Sequence, residues 1–585
     1  MKLWQGSLLV LTALLLACPS KKNEGVDAGP VDAGPRQLSE AEPNDQPEKA
    51  LQLSDNSVVS ASLGSDPSKP DEDWYLLTAQ QPKTVRLQVS GIPGADMAVD
   101  FYDQDRNRMA TVNSAGVGQG EGFPNLSVRN KTYVKVYSTK KGAGGAYTLS
   151  AFYEEALAGF ELEPNDRAVD ATPVALGIGV TGYVGHVEDQ DWYRYELPGA
   201  NLDAGLQAPV VTEDGGVPDA SAAPAPVEDA GMTEVPKIPL RIDLSGVDGV
   251  RYDLSVVSAA EAPLFTIKGK DGEGLQLRNV GVRATDQIFY VVVKSAWNGT
   301  GKDAKRSFNA DKSYTLTVAQ EEAGANAETE PNDDRAHASQ LPNNGFREGF
   351  LSPKGDQDYF VLRADQPTLA RVQLTGVERL DLQLTMVGEL PDGGEADVEL
   401  LKANEGGVKE PEMLNNVFCS GECFFKVDGA RKKVDGKWVA DYENAEMPYR
   451  LSVVTLPDNG SEEREPNNTP DRATPIALGK AVRGTVYPKK DTDLYVLDLS
   501  ARPVKTSLKA TLLGILKVDV GLYLHQLGED GKLSLVQTAD RAKGDKPETI
   551  AFSAEPGVYV FEVRDSKNRE SNFQDSYQLV VEEGE

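Results

Sequence analysis

Two acidic motifs each occur four times along this chain of 585 residues, and their repetition restricts the fold more than any other feature. The first is Glu-x-Glu-Pro-Asn followed by Asp or Asn, and the second is Asp-x-Asp followed by an aromatic-containing segment. From the second Glu of the first motif to the first Asp of the second, the spacing is 29 residues in the first copy and 26 in the other three. Such regular recurrence predicts consecutive units of one fold. The first motif begins at Glu40, Glu161, Glu328 and Glu463, and the second begins at Asp71, Asp189, Asp356 and Asp491.

After each Asp-x-Asp motif, apolar and polar residues alternate over a short segment that ends in Gly. Alternation with period two predicts strands with one buried face. Two further strand-like segments close each copy, and the sequence shows no clear amphipathic helix apart from a turn near 47–51. The pattern therefore predicts an all-β chain whose units are sandwiches or barrels. The alternating segments are 85–91, 240–246, 370–376 and, less regularly, 508–514, and the last strand of each copy starts at Tyr147, Tyr314, Tyr449 and Tyr577.

The motif intervals divide the chain into four units, for which 585 residues leave room at ~100–200 residues per domain. From Asp-x-Asp to the Gly of the alternating strand, the distance is 18 residues in the first and third units but 55 in the second. The excess is rich in Pro, Ala and Asp, a composition that cannot form a core, which predicts a disordered surface loop at about 199–235. The predicted units are 40–156, 157–322, 323–458 and 459–585.

The N-terminus carries a targeting signal. Lys2 precedes an apolar run at 8–17 that is too short for a bilayer span of ~20 residues and suits a signal peptide, 1–17. The run ends in Leu-Leu-Ala-Cys, which resembles the lipobox of bacterial lipoproteins and implies cleavage before Cys18 and its acylation. A plain secretory signal with an incidental Cys is the alternative. Because Pro19 follows, the sorting rules of that family favour the outer membrane. Residues 18–39 repeat Val-Asp-Ala-Gly-Pro and predict a disordered tether.

Composition narrows the class of function. With 91 acidic against 60 basic residues the formal charge is −31, which argues against nucleic acid as a partner and against charge-driven docking on anionic lipid. The sequence contains three histidines and no HExxH, Gly-x-Ser-x-Gly or Walker A motif, so we expect no enzyme. Trp297 and Trp438 lie in turn-like contexts, where they either stack on a sugar or cover a hairpin end.

The repeat resembles the bacterial pre-peptidase C-terminal domain, a jelly-roll-like β-sandwich, over about 40–585. That family has an acidic-Asn-Asp start, an Ala-to-Leu segment, a Gly-containing strand and an Asp-x-Asp-aromatic strand. The resemblance implies a tandem array of four β-sandwich binding or accessory modules; such domains usually follow a secreted peptidase, for which the four repeats leave no room. The Ala-to-Leu segments are 50–51, 171–176, 338–341 and 473–478, and the glycines are Gly182 or Gly185, Gly349 and Gly484, with no clear counterpart in the first copy.

The two motifs together supply oxygen ligands for a metal. Asp-x-Asp places both carboxylates on one face of an extended segment, and Ca²⁺ takes six to eight oxygens. The similar collagen-binding domains of clostridial collagenases bind calcium through a Glu-x-Glu-x-Asn-Asp segment and a downstream Asp, which implies Ca²⁺ here. The candidate ligands are Glu40, Glu42, Asn44, Asp45, Asp71 and Asp73; Glu161, Glu163, Asn165, Asp166, Asp189 and Asp191; Glu328, Glu330, Asn332, Asp333, Asp356 and Asp358; and Glu463, Glu465, Asn467, Asp491 and Asp493.

One departure and one alternative stand against this interpretation. The similar domains have a further Asp three residues before the strand Asp, where this chain has Pro70, Glu188, Gly355 and Lys490. Either the first Asp of Asp-x-Asp replaces it, or the site is weaker. Alternatively, the Asn, Asp and Glu side chains only cap turns and end a strand. The fourth copy, with Asn468 in the place of Asp and lysines beside its Asp pair, is the weakest candidate.

Cys419 and Cys423 flank a Ser-Gly-Glu turn between apolar segments. In an oxidising compartment this predicts a disulfide, with free thiols as the alternative, and zinc is disfavoured because no further His or Cys lies near in sequence. The whole pattern predicts a lipid-anchored protein of the cell envelope, and Pro19 after Cys18 favours the outer membrane. Its modules bind an unknown protein or polysaccharide in adhesion or scaffolding. The alternative is an accessory partner of a secreted peptidase or other hydrolase.

Overall fold

A computed structural model describes residues 34–198, 236–299, 304–322, 324–389 and 397–584. These residues form β-strands joined by turns, with short 3-10 turns such as Pro47–Lys49. The predicted signal peptide, Cys18, most of the tether and the loop at 199–235 lie outside the described residues. In the described ranges no helix has the length and apolar character needed to cross a membrane. The all-β prediction is confirmed.

The first sandwich packs two five-stranded sheets, in the orders β1-β3-β10-β5-β8 and β2-β4-β9-β6-β7, around a buried apolar core. The predicted end of the tether at residue 39 is wrong, because strand β1 lies inside the predicted range. Arg36–Ser39 pairs in parallel with β3, and Leu38 packs partly against the core, so these four residues belong to the sandwich. The strands are β1 (Arg36–Ser39), β2 (Leu51–Leu53), β3 (Ser57–Leu63), β4 (Glu72–Thr78), β5 (Lys83–Val89), β6 (Met97–Tyr102), β7 (Arg108–Val112), β8 (Glu121–Val128), β9 (Lys131–Ser138) and β10 (Gly145–Glu155).

The second sandwich repeats this arrangement with sheets in the orders β11-β13-β18-β15-β16 and β12-β21-β14-β17, and β19 and β20 form a separate hairpin. Its core is a cluster of buried aliphatic and aromatic side chains. The strands are β11 (Thr172–Pro173), β12 (Gly179–Gly182), β13 (Gln190–Glu196), β14 (Lys237–Leu244), β15 (Tyr252–Ser258), β16 (Pro263–Lys268), β17 (Leu275–Arg283), β18 (Ile288–Ser295), β19 (Trp297–Asn298), β20 (Lys305–Arg306) and β21 (Tyr314–Gln320).

In the third sandwich the two layers are joined into one seven-stranded sheet, because β24 and β27 are long enough to run through both. Its order is β23-β30-β24-β27-β25-β26, with β22 on β24, and β28 and β29 form a hairpin. The strands are β22 (Ser339–Gln340), β23 (Phe346–Leu351), β24 (Asp358–Leu374), β25 (Leu382–Glu389), β26 (Asp397–Ala403), β27 (Glu412–Gly429), β28 (Lys432–Val434), β29 (Lys437–Val439) and β30 (Asn444–Pro457).

Cys419 and Cys423 both lie in β27 and are joined by a disulfide, with their Cα atoms 5.9 Å apart. The predicted tight turn between them is wrong. The segment is an irregularity inside one long strand, opposite the shift in register between Ala364 and Thr368 of β24. The two apolar segments that flank the cysteines are therefore consecutive parts of β27, not the arms of a hairpin.

The fourth sandwich has sheets in the orders β31-β33-β38-β35-β36 and β32-β39-β34-β37 around its own core. In all four sandwiches the predicted alternating segments coincide with strands, namely β5, β14, the end of β24, and β34, apart from their last one or two residues, and their inward positions are buried. The β-sandwich prediction is therefore confirmed. The strands are β31 (Thr474–Pro475), β32 (Val482–Val486), β33 (Thr492–Asp498), β34 (Thr506–Leu513), β35 (Val520–Leu527), β36 (Leu533–Ala539), β37 (Glu548–Ala554), β38 (Val558–Asp565) and β39 (Asn572–Glu583).

Candidate metal centre

The backbone brings the two acidic motifs together in the same way in every sandwich. The strand that carries Asp-x-Asp starts beside the Glu-x-Glu-Pro-Asn loop, whose Glu–Pro bond is cis. The residue after the second Asp donates its N–H to the carbonyl of the loop Asn. The pairs are Trp74 to Asn44 at 3.2 Å, Trp192 to Asn165 at 3.2 Å, Tyr359 to Asn332 at 2.9 Å and Leu494 to Asn467 at 3.2 Å.

Two glutamates and the second Asp converge at each of these places. In each group, one carboxylate oxygen from every residue lies within 4.8 Å of the others. We call such a group a triad. The first triad is partly open, whereas the other three are buried. The triads are Glu40, Glu42 and Asp73; Glu161, Glu163 and Asp191; Glu328, Glu330 and Asp358; and Glu463, Glu465 and Asp493.

A tyrosine hydroxyl from the last strand of each sandwich holds the Asp of the triad. Tyr449 donates to Asp358 Oδ2 at 2.6 Å and also to Glu328 Oε2 at 3.0 Å. In three sandwiches a second tyrosine, two residues after that Asp, is hydrogen-bonded to the first, whereas the third sandwich has Phe360 there. The other hydroxyl contacts are Tyr147 with Asp73, Tyr314 with Asp191 and Tyr577 with Asp493, and the tyrosine pairs are Tyr75 with Tyr147, Tyr193 with Tyr314 and Tyr495 with Tyr577.

The same contacts explain why a glycine is needed in the strand that precedes Asp-x-Asp. A Cβ at Gly349 would meet the Glu328 carboxylate and the Tyr449 hydroxyl, and Gly182 and Gly484 have equivalent surroundings. In the first sandwich the residue opposite the closing tyrosine is Ala61, because Tyr147 pairs with it in β3. There, Glu40 is bound by the Ser62 backbone N–H and is less buried.

Several oxygens of these centres are buried without a hydrogen-bond partner among the described residues. In the third sandwich they are Glu330 Oε1, Asn332 Oδ1 and Asp358 Oδ1, and the fourth sandwich has the equivalent three atoms, on Glu465, Asn467 and Asp493. The first sandwich has three, Asn44 Oδ1, Asp45 Oδ1 and Asp73 Oδ1, and the second has Glu163 Oε1, Asp189 Oδ1 and Asp191 Oδ1. Buried polar atoms are nearly always paired, so unpaired oxygens that recur at matching positions make these groups candidates for holding a cation.

Burial governs the electrostatics of the triads. It raises the pKa of Glu328 to about 7 and that of Asp73 to about 8. Burial also raises the pKa of Asp358 well above its usual range, and the charges of Glu328 and its neighbours raise it further. In the fourth sandwich, burial raises the pKa of Glu463 to about 7. Burial therefore favours the protonated form of these carboxyl groups.

The first Asp of each Asp-x-Asp motif does a different job from the second. One oxygen of its carboxylate accepts a backbone N–H of the preceding turn, as Asp356 does from Ser352 at 2.8 Å and Asp491 from Tyr487 at 2.9 Å. The turn-capping interpretation thus describes the first Asp, and the ligand interpretation fits the second. The side chain after the loop Asn lies beside this first Asp, in the pairs Asp45 with Asp71, Asp166 with Asp189, Asp333 with Asp356 and Asn468 with Asp491.

The second sandwich adds a histidine that the sequence reasoning passed over. His186 Nε2 lies 3.5 Å from Asp189 Oδ1, and His186, Asp166 and Asp189 form a further close group beside the triad. Burial raises the pKa of Asp166 to about 6. The closing tyrosines were also missed as site residues. Their signal was present in the sequence as a Tyr in the same register of each copy.

Other candidates lie away from the triads. Lys489, placed beside the fourth Asp pair in sequence, pairs with Glu405, so the fourth triad is formed like the others. Trp297 and Trp438 lie on the hairpins β19–β20 and β28–β29, with 54% and 66% of their surfaces exposed. The Arg306 guanidinium lies 5.0 Å from the centre of the Trp297 ring.

Comparisons with known proteins give structural neighbours only. No family model matches the chain, and no curated protein matches it. Among solved structures, it is similar to the pre-peptidase C-terminal domain of collagenase from Bacillus anthracis, with 23% identity, 20% of this chain and 99% of that chain covered, and a TM-score of 0.16. It is also similar to the CUB1-EGF-CUB2 domain of human MASP-1/3, with 9% identity, 45% and 99% coverage and a TM-score of 0.12. A triple jelly roll protein of an archaeal virus shares 9% identity over 60% of this chain and 80% of that chain, with a TM-score of 0.14.

Proposed function

We propose that this chain is a lipid-anchored protein of the cell envelope whose four tandem β-sandwich repeats serve binding, adhesion or scaffolding, each carrying a calcium site. The observation that carries the calcium proposal is the set of unpaired buried oxygens in each repeat. Around the third triad they come from two carboxylates and one amide, and no nitrogen or sulfur ligand stands among them. Oxygen-only sets of this kind suit Ca²⁺ or Mg²⁺ better than zinc or copper.

The ligand set favours calcium over magnesium. In the third repeat, Glu328, Glu330 and Asp358 with the Asn332 amide oxygen offer up to seven oxygens if the carboxylates bind in bidentate fashion, although some of these oxygens already accept hydrogen bonds. Calcium takes six to eight oxygens in flexible geometry, whereas magnesium keeps several waters and demands an octahedron. Because the same group occurs four times and lacks a nucleophile with an adjacent base, we assign it a structural role and propose no catalytic activity.

Calorimetric titration of the full chain with calcium at pH 7 tests the proposal. We expect heats from several sites and a rise in melting temperature beyond that given by NaCl of equal ionic strength. A ligand at a hundredfold excess over Kd adds about 2.7 kcal/mol to the free energy of unfolding. Glu330→Gln with Asp358→Asn removes one binding event, whereas Asp365→Asn with Glu410→Gln, two exposed carboxylates of the same repeat, leaves binding unchanged. Equal shifts from calcium and NaCl in the unsubstituted chain would rule the sites out.

Anchoring rests on the Leu-Leu-Ala-Cys sequence that ends at Cys18. We expect Cys18→Ser to release the protein from the membrane fraction or to leave it unprocessed, because the substitution removes the thiol that is acylated. Fractionation of cells followed by immunoblotting measures this. Normal membrane retention of that variant at its mature size would refute the lipid anchor.

A further inference from the structure

Three asparagines occupy equivalent positions in the first three repeats and share an uncommon backbone conformation. Asn125, Asn279 and Asn416 have φ values of 56°, 54° and 51° and lie where β8, β17 and β27 shift register against their neighbours. Asn tolerates this left-handed region better than most residues. A bulge with an Asn in this conformation is therefore built into the equivalent strand three times, with Asn125 and Asn279 buried and Asn416 half-buried.

Each bulge binds the backbone of the next repeat. The N–H of the second Glu of the following triad donates to the Asn carbonyl, from Glu163 to Asn125 at 3.1 Å, from Glu330 to Asn279 at 2.9 Å and from Glu465 to Asn416 at 2.9 Å. The N–H two residues after the Asn returns a bond to that Glu carbonyl. These return bonds run from Ser127 to Glu163 at 2.7 Å, from Gly281 to Glu330 at 3.0 Å and from Phe418 to Glu465 at 2.8 Å.

The Asn side chains reach the carboxylates themselves. Asn416 Nδ2 donates to Glu463 Oε1 at 2.9 Å, and Asn125 Nδ2 donates to Glu161 Oε1 at 3.3 Å. At the second junction, Asn279 lies beside Glu328. The first Glu of each of these triads thus takes a hydrogen bond or a close polar contact from the preceding repeat.

The two ends of the described array provide the contrast. The first triad, upstream of which no described sandwich lies, has an exposed Glu42, whereas Glu163, Glu330 and Glu465 are 2–4% exposed. In the fourth repeat, β37 pairs with β34 in unbroken register and has no Asn in Glu548–Ala554. Bulge and docked triad therefore occur together.

We propose that the second, third and fourth calcium sites are composite, each completed by the preceding repeat, so that calcium binding and the docking of consecutive repeats are coupled. This inference rests on the proposed calcium binding. Without a cation, docking either buries like charges or requires these carboxyl groups to take up protons, and both favour release of the Glu-x-Glu segment into water. A cation removes that cost only in the docked state. By linkage, docking strengthens calcium binding by the same factor by which calcium strengthens docking.

Hydrogen exchange of the full chain, followed by mass spectrometry with and without millimolar calcium, tests this coupling. The Phe418 amide belongs to the third repeat, is not a ligand and donates across the junction to the Glu465 carbonyl. We expect calcium to slow its exchange by about tenfold or more. In Asp493→Asn, which removes a ligand of the fourth site alone, that slowing is lost. Calcium protection of the Phe350 amide, which bonds Glu328 of the third site, persists in the same variant and serves as the internal control.

A second variant acts from the other side of the junction. Asn416→Gly keeps the left-handed backbone and removes the amide that holds Glu463. We expect it to weaken calcium at the fourth site by about tenfold, the effect of one hydrogen bond to a charged group. Asn568→Gly is the matched control, since Asn568 is exposed and has the same conformation, with a φ of 52°.

The results separate the two proposals. If calcium binds by calorimetry but Asp493→Asn keeps full protection at Phe418, or Asn416→Gly binds like Asn568→Gly, the coupling is refuted and the sites stand. If the unsubstituted chain shows no binding heats and no protection at Phe350, both proposals fall.

Discussion

Acid usually destabilises a folded protein, but in the chain without divalent cations we expect the free energy of unfolding to fall as the pH rises from 5 to 8. In the cation-free chain the pKa of Glu328 is about 7, against an ordinary value of 4.5, because burial penalises its charge. A carboxyl group whose pKa is higher in the folded state binds protons more tightly when folded. The contribution of the Glu328 proton to the free energy of unfolding is therefore fully present at pH values below 4.5 and is lost as the pH rises through about 7.

The magnitude follows from the size of the shift. One pKa unit corresponds to about 1.4 kcal/mol, so the rise from 4.5 to about 7 costs on the order of 3 kcal/mol of unfolding free energy in the third repeat by pH 8. Glu328 is 2% exposed, so water screens little of this. Glu463 adds a similar cost in the fourth repeat, where its pKa is also about 7.

Scanning calorimetry of the full chain in EDTA at pH 5, 6, 7 and 8 measures the effect. We expect the melting temperature to fall across this series, and added calcium to restore most at pH 8, where it competes with the fewest protons. Glu328→Gln should flatten the pH dependence of the third repeat, because the amide does not titrate. A melting temperature in EDTA that rises from pH 5 to pH 8 would contradict the assigned burial of these carboxylates.

Two substitutions test the packing of the third centre. Gly349→Ala puts a Cβ into the space of Glu328 and Tyr449; we expect a loss of about 1–3 kcal/mol in thermal unfolding and weaker calcium binding, while Gly407→Ala, in open space in the same repeat, changes neither. Tyr449→Phe removes both hydroxyl contacts to carboxylates and should cost about 2–3 kcal/mol with calcium bound, more than Tyr75→Phe, which leaves Tyr147 on Asp73. Equal losses for the two Tyr→Phe variants would show that the hydroxyl contacts contribute little.

Much of the fold could be predicted from the sequence because it depends on local pattern. Alternation along 85–91 is enough to identify β5, since period two fixes which side chains face the core. The predicted tether boundary was wrong at Leu38. One apolar residue gives no periodic signal, and its pairing with β3 depends on an open sheet edge. The predicted turn between the two cysteines was wrong because the length of β27 depends on pairing with β24, which is distant in sequence.

The candidate site, too, could be predicted in part from the sequence. Spacing alone placed Glu330 and Asp358 together, since the motif recurs. Spacing could not tell which carboxylate oxygens the backbone already satisfies, and this is what separates Asp356 from Asp358. The Asn416 bulge lies outside both motifs, and its role depends on a strand register across two repeats. The Asn recurs in three copies of the sequence, but its recurrence does not show which distant segment it contacts.

Because the triads are mostly buried, a change in their charge alters the net charge of −31 without altering the exposed side chains. Twelve of the 91 acidic residues belong to the four triads, three in each, and most of them are shielded from solvent. With every carboxyl counted as ionised, four bound divalent ions would add eight positive charges and bring the formal charge from −31 to −23, and each proton that an ion displaces reduces this change by one. Electrophoretic mobility and repulsion between neighbouring molecules would then follow the calcium concentration, with no change in the exposed side chains.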